Sequence, residues 1–199
     1  RFHGKDGDKK TLSNVEQYFD TINSANGKQP IDVILLSCHG GAAHEAAHRL
    51  PSGSQLLSMV DRHNQFDLDS LQRFVRYLDR SEEHPRPAGI ESFLTHYLSS
   101  SSSTDVRDIP MISRSGDDTV TNIGQYLEEV MGKPLPPEQR HLLQEKLRPH
   151  WGEERTDGWI ERLERAQSSE WTGLYEQGPL LLMAYLLKHP EAKTSHLPV

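Results

Sequence analysis

Gln29-Pro30-Ile31-Asp32-Val33-Ile34-Leu35-Leu36-Ser37-Cys38-His39-Gly40-Gly41 is the stretch that decides the fold. Its apolar residues are β-branched or leucine, they lie between a proline and a Gly-Gly pair, and they lead to the only cysteine of the chain. Such a run predicts a fully buried strand over residues 31–37. In open α/β sheets, ligands and reactive groups lie at the carboxyl ends of the strands, which is the position of Cys38.

An amphipathic helix is predicted before this strand from four apolar residues at helical spacing, Leu12, Val15, Phe19 and Ile22. A capping box of Ser13 and Glu16 marks its start, Asn26-Gly27 marks its end, and residues 1–7 resemble a strand end that enters a turn-rich loop. A short helix over 42–50 and a strand over 55–60 follow. This order is typical of right-handed crossovers between parallel strands.

The remainder of the chain is predicted to be mainly helical. Residues 106–113 form a strand candidate that Pro110 restricts to a sheet edge. From Asp117 onward the pattern is helical, with Val120 on an apolar face, Thr156 as a helix cap and residues 180–187 as a buried helix. We therefore expect an α/β fold with a parallel-dominated sheet in residues 1–116 and an α-helical region in residues 117–199.

Composition narrows the possible functions. The 199 residues suffice for one domain, with or without a helical extension, and the net charge of −7 argues against a nucleic-acid or anionic-membrane partner. A single cysteine excludes an intrachain disulfide and fits a reducing compartment. No apolar run is long enough to span a bilayer. The order loop, helix, strand is the second half of a right-handed βαβ crossover, so we expect its first strand to precede Arg1, where the chain begins without Met.

Cys38 is the leading candidate for a catalytic residue. Backbone N–H groups of the Gly-rich segment after it can lower the pKa of a thiol and hold an oxyanion. Among 11 histidines, His3 follows a predicted strand end and would meet Cys38 at the same sheet edge. His39 is the alternative base, although a neighbour on the same strand end points the other way. A buried, inert cysteine is the alternative interpretation of Cys38.

The motifs of residues 1–60 resemble those of the caspase-like (clan CD) cysteine peptidases. Phe2-His3-Gly4-Lys5-Asp6, the strand ending in Leu36-Ser37-Cys38, and Leu50-Pro51-Ser52-Gly53-Ser54-Gln55-Leu56-Leu57 follow in the family's order. They are most similar to the autoprocessing cysteine protease domains of bacterial toxins. The resemblance implies a caspase-like sheet with Cys38 as nucleophile and His3 as base. It also implies a secreted bacterial toxin or effector that acts in a host cytosol. Without the resemblance, the expected location is the cytoplasm.

The sequence departs from the family pattern at several places. Phe2 and Ser37 stand where the toxin domains have glycine, and the acidic residue that orients the base has no match. The family's β-flap, which binds inositol hexakisphosphate, is not recognisable either. The resemblance would imply activation by that compound, but no cofactor is predicted with certainty. We expect a polypeptide substrate, with oxyanion-stabilising amides from Gly4, His39 and Gly40.

A second motif, His44-Glu45-Ala46-Ala47-His48, fits the His-Glu-x-x-His pattern of zinc hydrolases. On an α-helix its two imidazoles share a face and can bind zinc, with Glu45 as general base. No further ligand follows at the spacing of the longer zinc motifs, so we predict no metal.

Asp117 and Asp118 are candidates for selecting a basic substrate residue. A cysteine endopeptidase is the favoured function, and a zinc hydrolase or a non-catalytic protein-interaction module are the alternatives.

Overall fold

A computed structural model describes residues 5–37, 40–59, 72, 75, 89–90, 93–95, 98, 110–116, 120–166, 177–195 and 197, with the backbone alone for residues 5–13 and 177. The elements are helix α1 (Lys5–Ala25), strand β1 (Asp32–Leu35), a 3₁₀ helix (Gly40–Arg49), β2 (Gln55–Ser58), β3 (Met111–Arg114) and β4 (Val120–Asn122). Helices α2 (Ile123–Val130), α3 (Pro137–Trp151), α4 (Glu153–Arg165) and α5 (Gln177–Lys188) follow. Gln72, Val75, Ile90, Phe93, Leu94, Thr95 and Leu98 are helical as well.

The chain divides into two compact units. One, the sheet unit, comprises Arg1–Asp67 and Arg107–Asn122, and the other, the helical unit, comprises Leu68–Val106 and Ile123–Val199. The boundary predicted between residues 116 and 117 stays a prediction. In the part of the chain that the structure describes, no helix combines the length and the apolar content needed to cross a bilayer.

The four described strands form a mixed sheet in the order β1-β2-β3-β4. β1 and β2 are parallel, whereas β2–β3 and β3–β4 are antiparallel. The fold is α/β with helices against a sheet, as predicted, but the prediction of a parallel-dominated sheet is wrong. The reason is β3-β4, which form a hairpin and thus add two antiparallel pairs beside the one parallel pair.

The apolar run at the centre of the prediction does form a strand, but the expectation that it is fully buried is wrong: β1 covers Asp32–Leu35, with Asp32 exposed and the other three residues only partly buried, because no strand among the described residues covers its outer edge. Val33 of β1 lies opposite Leu56 of β2, and Leu35 lies opposite Ser58. Because side chains alternate along a strand, these four residues share one face of the sheet. Phe19 of α1 and three alanines of the 3₁₀ helix, Ala43, Ala46 and Ala47, cluster with Leu56 to form the core of the sheet unit. Burial of this apolar surface is the main stabilising term of the unit.

Several local predictions about the sheet unit are wrong. Residues 5–7 belong to α1 rather than to a loop, so Ser13 lies inside the helix and cannot cap it. β3 pairs on both sides and is not an edge strand; Pro110 precedes it, so no N–H group is missing from the ladder. Val120 lies in β4 rather than on a helix. The predicted end of α1 is confirmed, since Gly27 has a left-handed φ of 59° directly after Asn26.

The helical unit follows its sequence pattern closely. Helix α3 begins at Pro137, directly after Pro136, and α5 is buried from Leu180 to Leu187 as its uniformly apolar composition predicts. Thr156 does not cap α4; it lies inside the helix, and its hydroxyl donates to the carbonyl of Gly152 at 2.7 Å. Glu164 of α4 accepts from the backbone N–H of Leu135 at 2.9 Å and pairs with Arg140.

Candidate functional site

The predicted dyad lies outside the described residues, as do Gly4 and His39. The described neighbours of Cys38 are Ser37, which leaves β1, and Gly40, which begins the 3₁₀ helix. The N–H of Gly40 donates to the carbonyl oxygen of Ser37 at 3.1 Å. This bond links the exit of β1 to the first residue of the helix. It also occupies the Gly40 amide, which is then not free to stabilise an oxyanion.

The carboxyl end of β1 lies beside that of β2, since Leu35 is opposite Ser58 in the parallel pair. The N–H of Met59 donates to the carbonyl of Leu35 at 3.3 Å and continues this pairing to the end of both strands. Ser37 therefore follows β1 at the edge of the sheet where parallel α/β proteins hold their reactive groups. The position of residue 38 itself stays a prediction.

A buried histidine occupies the middle of the 3₁₀ helix. His44 is 6% exposed, its Nδ1 lies 2.8 Å from Ser113 Oγ of β3, and its Nε2 lies 2.9 Å from Ser58 Oγ of β2. Ser58 faces Met111 across the β2–β3 pair, so Ser58 and Ser113 are diagonal neighbours on one face of the sheet. One imidazole thus joins the helix to two strands.

Burial lowers the pKa of His44 from 6.5 to about 4, and a hydrogen bond to the backbone of Met111 opposes this change in part. The ring is therefore neutral near pH 7, with one nitrogen that donates and one that accepts. Both serine hydroxyls can rotate to match either tautomer. All the polar atoms of the group can be satisfied without a charged partner, which is why the protein tolerates an imidazole at this depth.

The winding of the 3₁₀ helix separates the two histidines of the His-Glu-Ala-Ala-His motif. At three residues per turn, positions four apart are about 120° apart around the axis instead of the about 40° of an α-helix. His44 is buried, whereas His48 is exposed and its Nδ1 lies 2.9 Å from the carbonyl oxygen of Glu45. The shared face that a zinc site of this type requires is not formed. Among the described residues, no three His, Cys, Asp or Glu side chains come together as a metal site.

A cleft of about 660 Å³ opens beside His44. Its floor is the part of the sheet face that the 3₁₀ helix leaves uncovered, where Met111, Ser113 and Val120 point in the same direction. Gly41 and His44 line one wall. Because Gly41 follows Cys38 by three residues, the cleft is close in the chain to the predicted nucleophile. Its volume is within the range of ligand-binding clefts.

The sequence analysis missed the pairing of His44 with Ser58 and Ser113. A signal was present, since each serine follows apolar residues in a strand and occupies a position that alternation directs toward the core. A buried hydroxyl needs a partner, and a histidine on the covering helix supplies one. Asp117 and Asp118, proposed to select a basic residue, lie outside the described residues.

Comparison with known proteins gives no relative: no family model, no curated protein and no solved structure matches the chain.

Proposed function

We propose that the protein is a cysteine endopeptidase of the caspase-like type, with Cys38 as nucleophile and His3 as base. The observation that carries the proposal is the parallel pairing of β1 with β2, because the chain leaves β1 at their common carboxyl edge and enters Ser37 and Cys38 within three residues. This edge is the usual location of catalytic groups in such sheets.

The packing of α1 supports the choice of His3. Phe19 of α1 packs with Ala43 and Ala46 of the 3₁₀ helix, so both helices cover the same face of the sheet. Right-handed crossovers that lie on one face add strands in one direction. A parallel strand that ends just before His3 would then pair with the outer edge of β1, where the described residues supply no strand. His3 and Cys38 would follow the carboxyl ends of adjacent strands.

The chemistry of the proposal uses four steps. His3 accepts the thiol proton of Cys38, and the thiolate attacks the carbonyl carbon of the scissile peptide bond. His3 then donates this proton to the leaving amine, and a water molecule, activated by His3, hydrolyses the thioester. Amides of Gly4 and His39 would stabilise the oxyanion, since that of Gly40 is bonded to Ser37.

The substrate of the proposed enzyme is a polypeptide, either the chain itself or a host protein. The cleft supports this proposal because it offers space for substrate residues, and Gly41, which lines it, follows Cys38 by three residues in the chain. By resemblance to the toxin domains, the protein would be a secreted bacterial effector that acts in a host cytosol. Activation by inositol hexakisphosphate belongs to the same resemblance and would be detected as faster cleavage on its addition.

Alkylation of the single cysteine tests the proposal without knowledge of the substrate. The rate of reaction with iodoacetamide is measured by intact-protein mass spectrometry between pH 5 and pH 10. We expect an inflection below the ~8.5 of a free thiol, because an imidazolium at His3 and the adjacent helix start favour the thiolate. His3→Ala should move the inflection toward 8.5, and His39→Ala should have a smaller effect.

An inflection at 8.5 or above in both the wild type and His3→Ala would refute the dyad. A non-catalytic protein-interaction module would then be the better interpretation, because the histidine geometry of the 3₁₀ helix does not favour the zinc hydrolase. Zinc that co-purifies with the wild type and is absent from both His44→Ala and His48→Ala would restore that alternative.

A further inference from the structure

The 3₁₀ helix is unusual in its length. It runs for 10 residues from Gly40 to Arg49, whereas 3₁₀ segments longer than three or four residues are uncommon because their hydrogen-bond geometry is poorer than that of an α-helix. Its composition does not require this winding, since four of its residues are alanine, the best α-helix former. Contacts outside the helix must therefore help to hold the 3₁₀ form.

The contacts of His44 are suited to this task. Its two ring nitrogens bond to hydroxyls on two different strands, so the imidazole fixes both the height of the helix above the sheet and its rotation about its own axis. His48, the other histidine of the helix, bonds to the carbonyl of Glu45 in the same helix, and this bond fixes neither.

The rotation of the 3₁₀ helix about its own axis determines where Gly40, its first residue, lies relative to the sheet. Gly40 and His44 are four residues apart, which corresponds to about 480° of winding in a 3₁₀ helix and about 400° in an α-helix. If His44 stays in place while the helix relaxes to the α form, Gly40 turns by about 80° relative to the sheet. The hydrogen bond from the Gly40 N–H to the Ser37 carbonyl would then break. If it stayed intact, the rotation of Gly40 would displace the residues between it and Ser37, which include Cys38.

We propose that His44 is a positioning residue for Cys38: bonded to Ser58 and Ser113, it holds the 3₁₀ winding of the helix and thereby the place of Gly40, whose bond to Ser37 joins the residues on either side of the nucleophile. This inference rests on the proposed function and extends it to a residue that does not touch the substrate. It assigns the first histidine of the His-Glu-Ala-Ala-His motif a role other than metal binding.

The test is the pH profile of Cys38 alkylation by iodoacetamide in His44→Ala, with His48→Ala as the matched control on the same helix. We expect the inflection of His44→Ala to rise toward that of a free thiol, which lowers the rate at pH 6 about tenfold for each pKa unit. His48→Ala should keep the wild-type profile. Circular dichroism confirms that each variant is folded.

Conservative variants separate positioning from a general loss of structure. His44→Asn keeps a polar atom near Nδ1 and thus the contact to Ser113, so it should recover part of the wild-type rate at pH 6. Ser58→Ala and Ser113→Ala remove one contact each without altering the histidine, and each should slow alkylation in part. These two variants also provide the test if His44→Ala does not fold.

The outcomes distinguish this inference from the proposed function. A wild type with a lowered, His3-dependent inflection and a folded His44→Ala with the same profile would overturn the positioning role alone. Equal losses in His44→Asn and His44→Ala would overturn the assignment to these hydrogen bonds. A wild-type inflection near 8.5 would overturn the proposed function, and the positioning role with it.

Discussion

Acidification should destabilise the sheet unit through His44, and the effect can be calculated. Burial lowers the pKa of His44 in the folded state to about 4, against 6.5 in an unfolded chain. As the pH falls below 6.5, the unfolded state binds the proton first, so the free energy of unfolding decreases until the folded state is protonated near pH 4. The loss attributable to this one group is about 1 kcal/mol at pH 5.5 and about 3 kcal/mol in total, most of it reached by pH 4.5.

The assay compares the wild type with His44→Gln, because the other ten histidines and the carboxylates are common to both proteins. Urea unfolding is followed by far-UV circular dichroism from pH 7.5 to pH 4.5. At pH 7.5 we expect the wild type to be more stable by about 1–3 kcal/mol, since glutamine replaces only part of the buried hydrogen bonding. This difference should vanish or reverse by pH 4.5, because only the wild type has a buried imidazole to protonate.

A direct titration provides the second measurement. The imidazole protons of His44, assigned in the NMR spectrum with the help of the same variant, should shift with a midpoint near pH 4. Parallel stability curves for the two proteins between pH 7.5 and pH 4.5, or a midpoint near 6.5, would refute the buried, neutral placement of His44 between Ser58 and Ser113.

Three further predictions concern the helical unit. Gly132→Ala should destabilise the helical unit by about 2 kcal/mol or more in thermal melts, because Gly132 has a φ of +72° and a Cβ there would lie 2.6 Å from the carbonyl oxygen of Ala166. Gly158→Ala, inside α4 with open space around the new methyl group, should stabilise the unit by about 0.5–1 kcal/mol in the same melts. Glu164→Gln should lower the free energy of unfolding by about 1–3 kcal/mol, because the pairing with Arg140 loses its charge. A melt unchanged by this substitution would contradict a stabilising role of this ion pair.

Elements with a strong local pattern could be predicted from the sequence. β1 and α5 are the clearest cases, since a short apolar run between Pro30 and Gly40 favours a buried strand and the apolar run of 180–187 favours a buried helix. α5 is buried where it was predicted, and β1 lies within the predicted range but is only partly buried. In each case the residues that decide the element lie within it or directly beside it.

Features that depend on distant parts of the chain could not be predicted in this way. The antiparallel pairing of β2 with β3 joins residues more than fifty positions apart, and β4 has only three residues, too few to show alternation. The 3₁₀ form of Gly40–Arg49 is a similar case, because its alanines favour an α-helix and the contacts that oppose this choice come from Ser58 and Ser113.

The candidate site was predicted only in part for the same reason. The position of Ser37 at the shared carboxyl edge of β1 and β2 follows from the strand pattern alone. The unequal roles of His44 and His48 do not, because both belong to one motif and differ only in the direction that the helical winding gives them.

Cleavage of a peptide library is the most direct test of the central claim, that Cys38 and His3 form a peptidase. Peptides from a digested cell extract are incubated with the wild type, Cys38→Ala or His3→Ala, and new termini are identified by mass spectrometry. We expect new termini with a common residue preference in the wild type, abolished by iodoacetamide and absent from both folded variants. Identical peptide populations for the wild type and Cys38→Ala would contradict it.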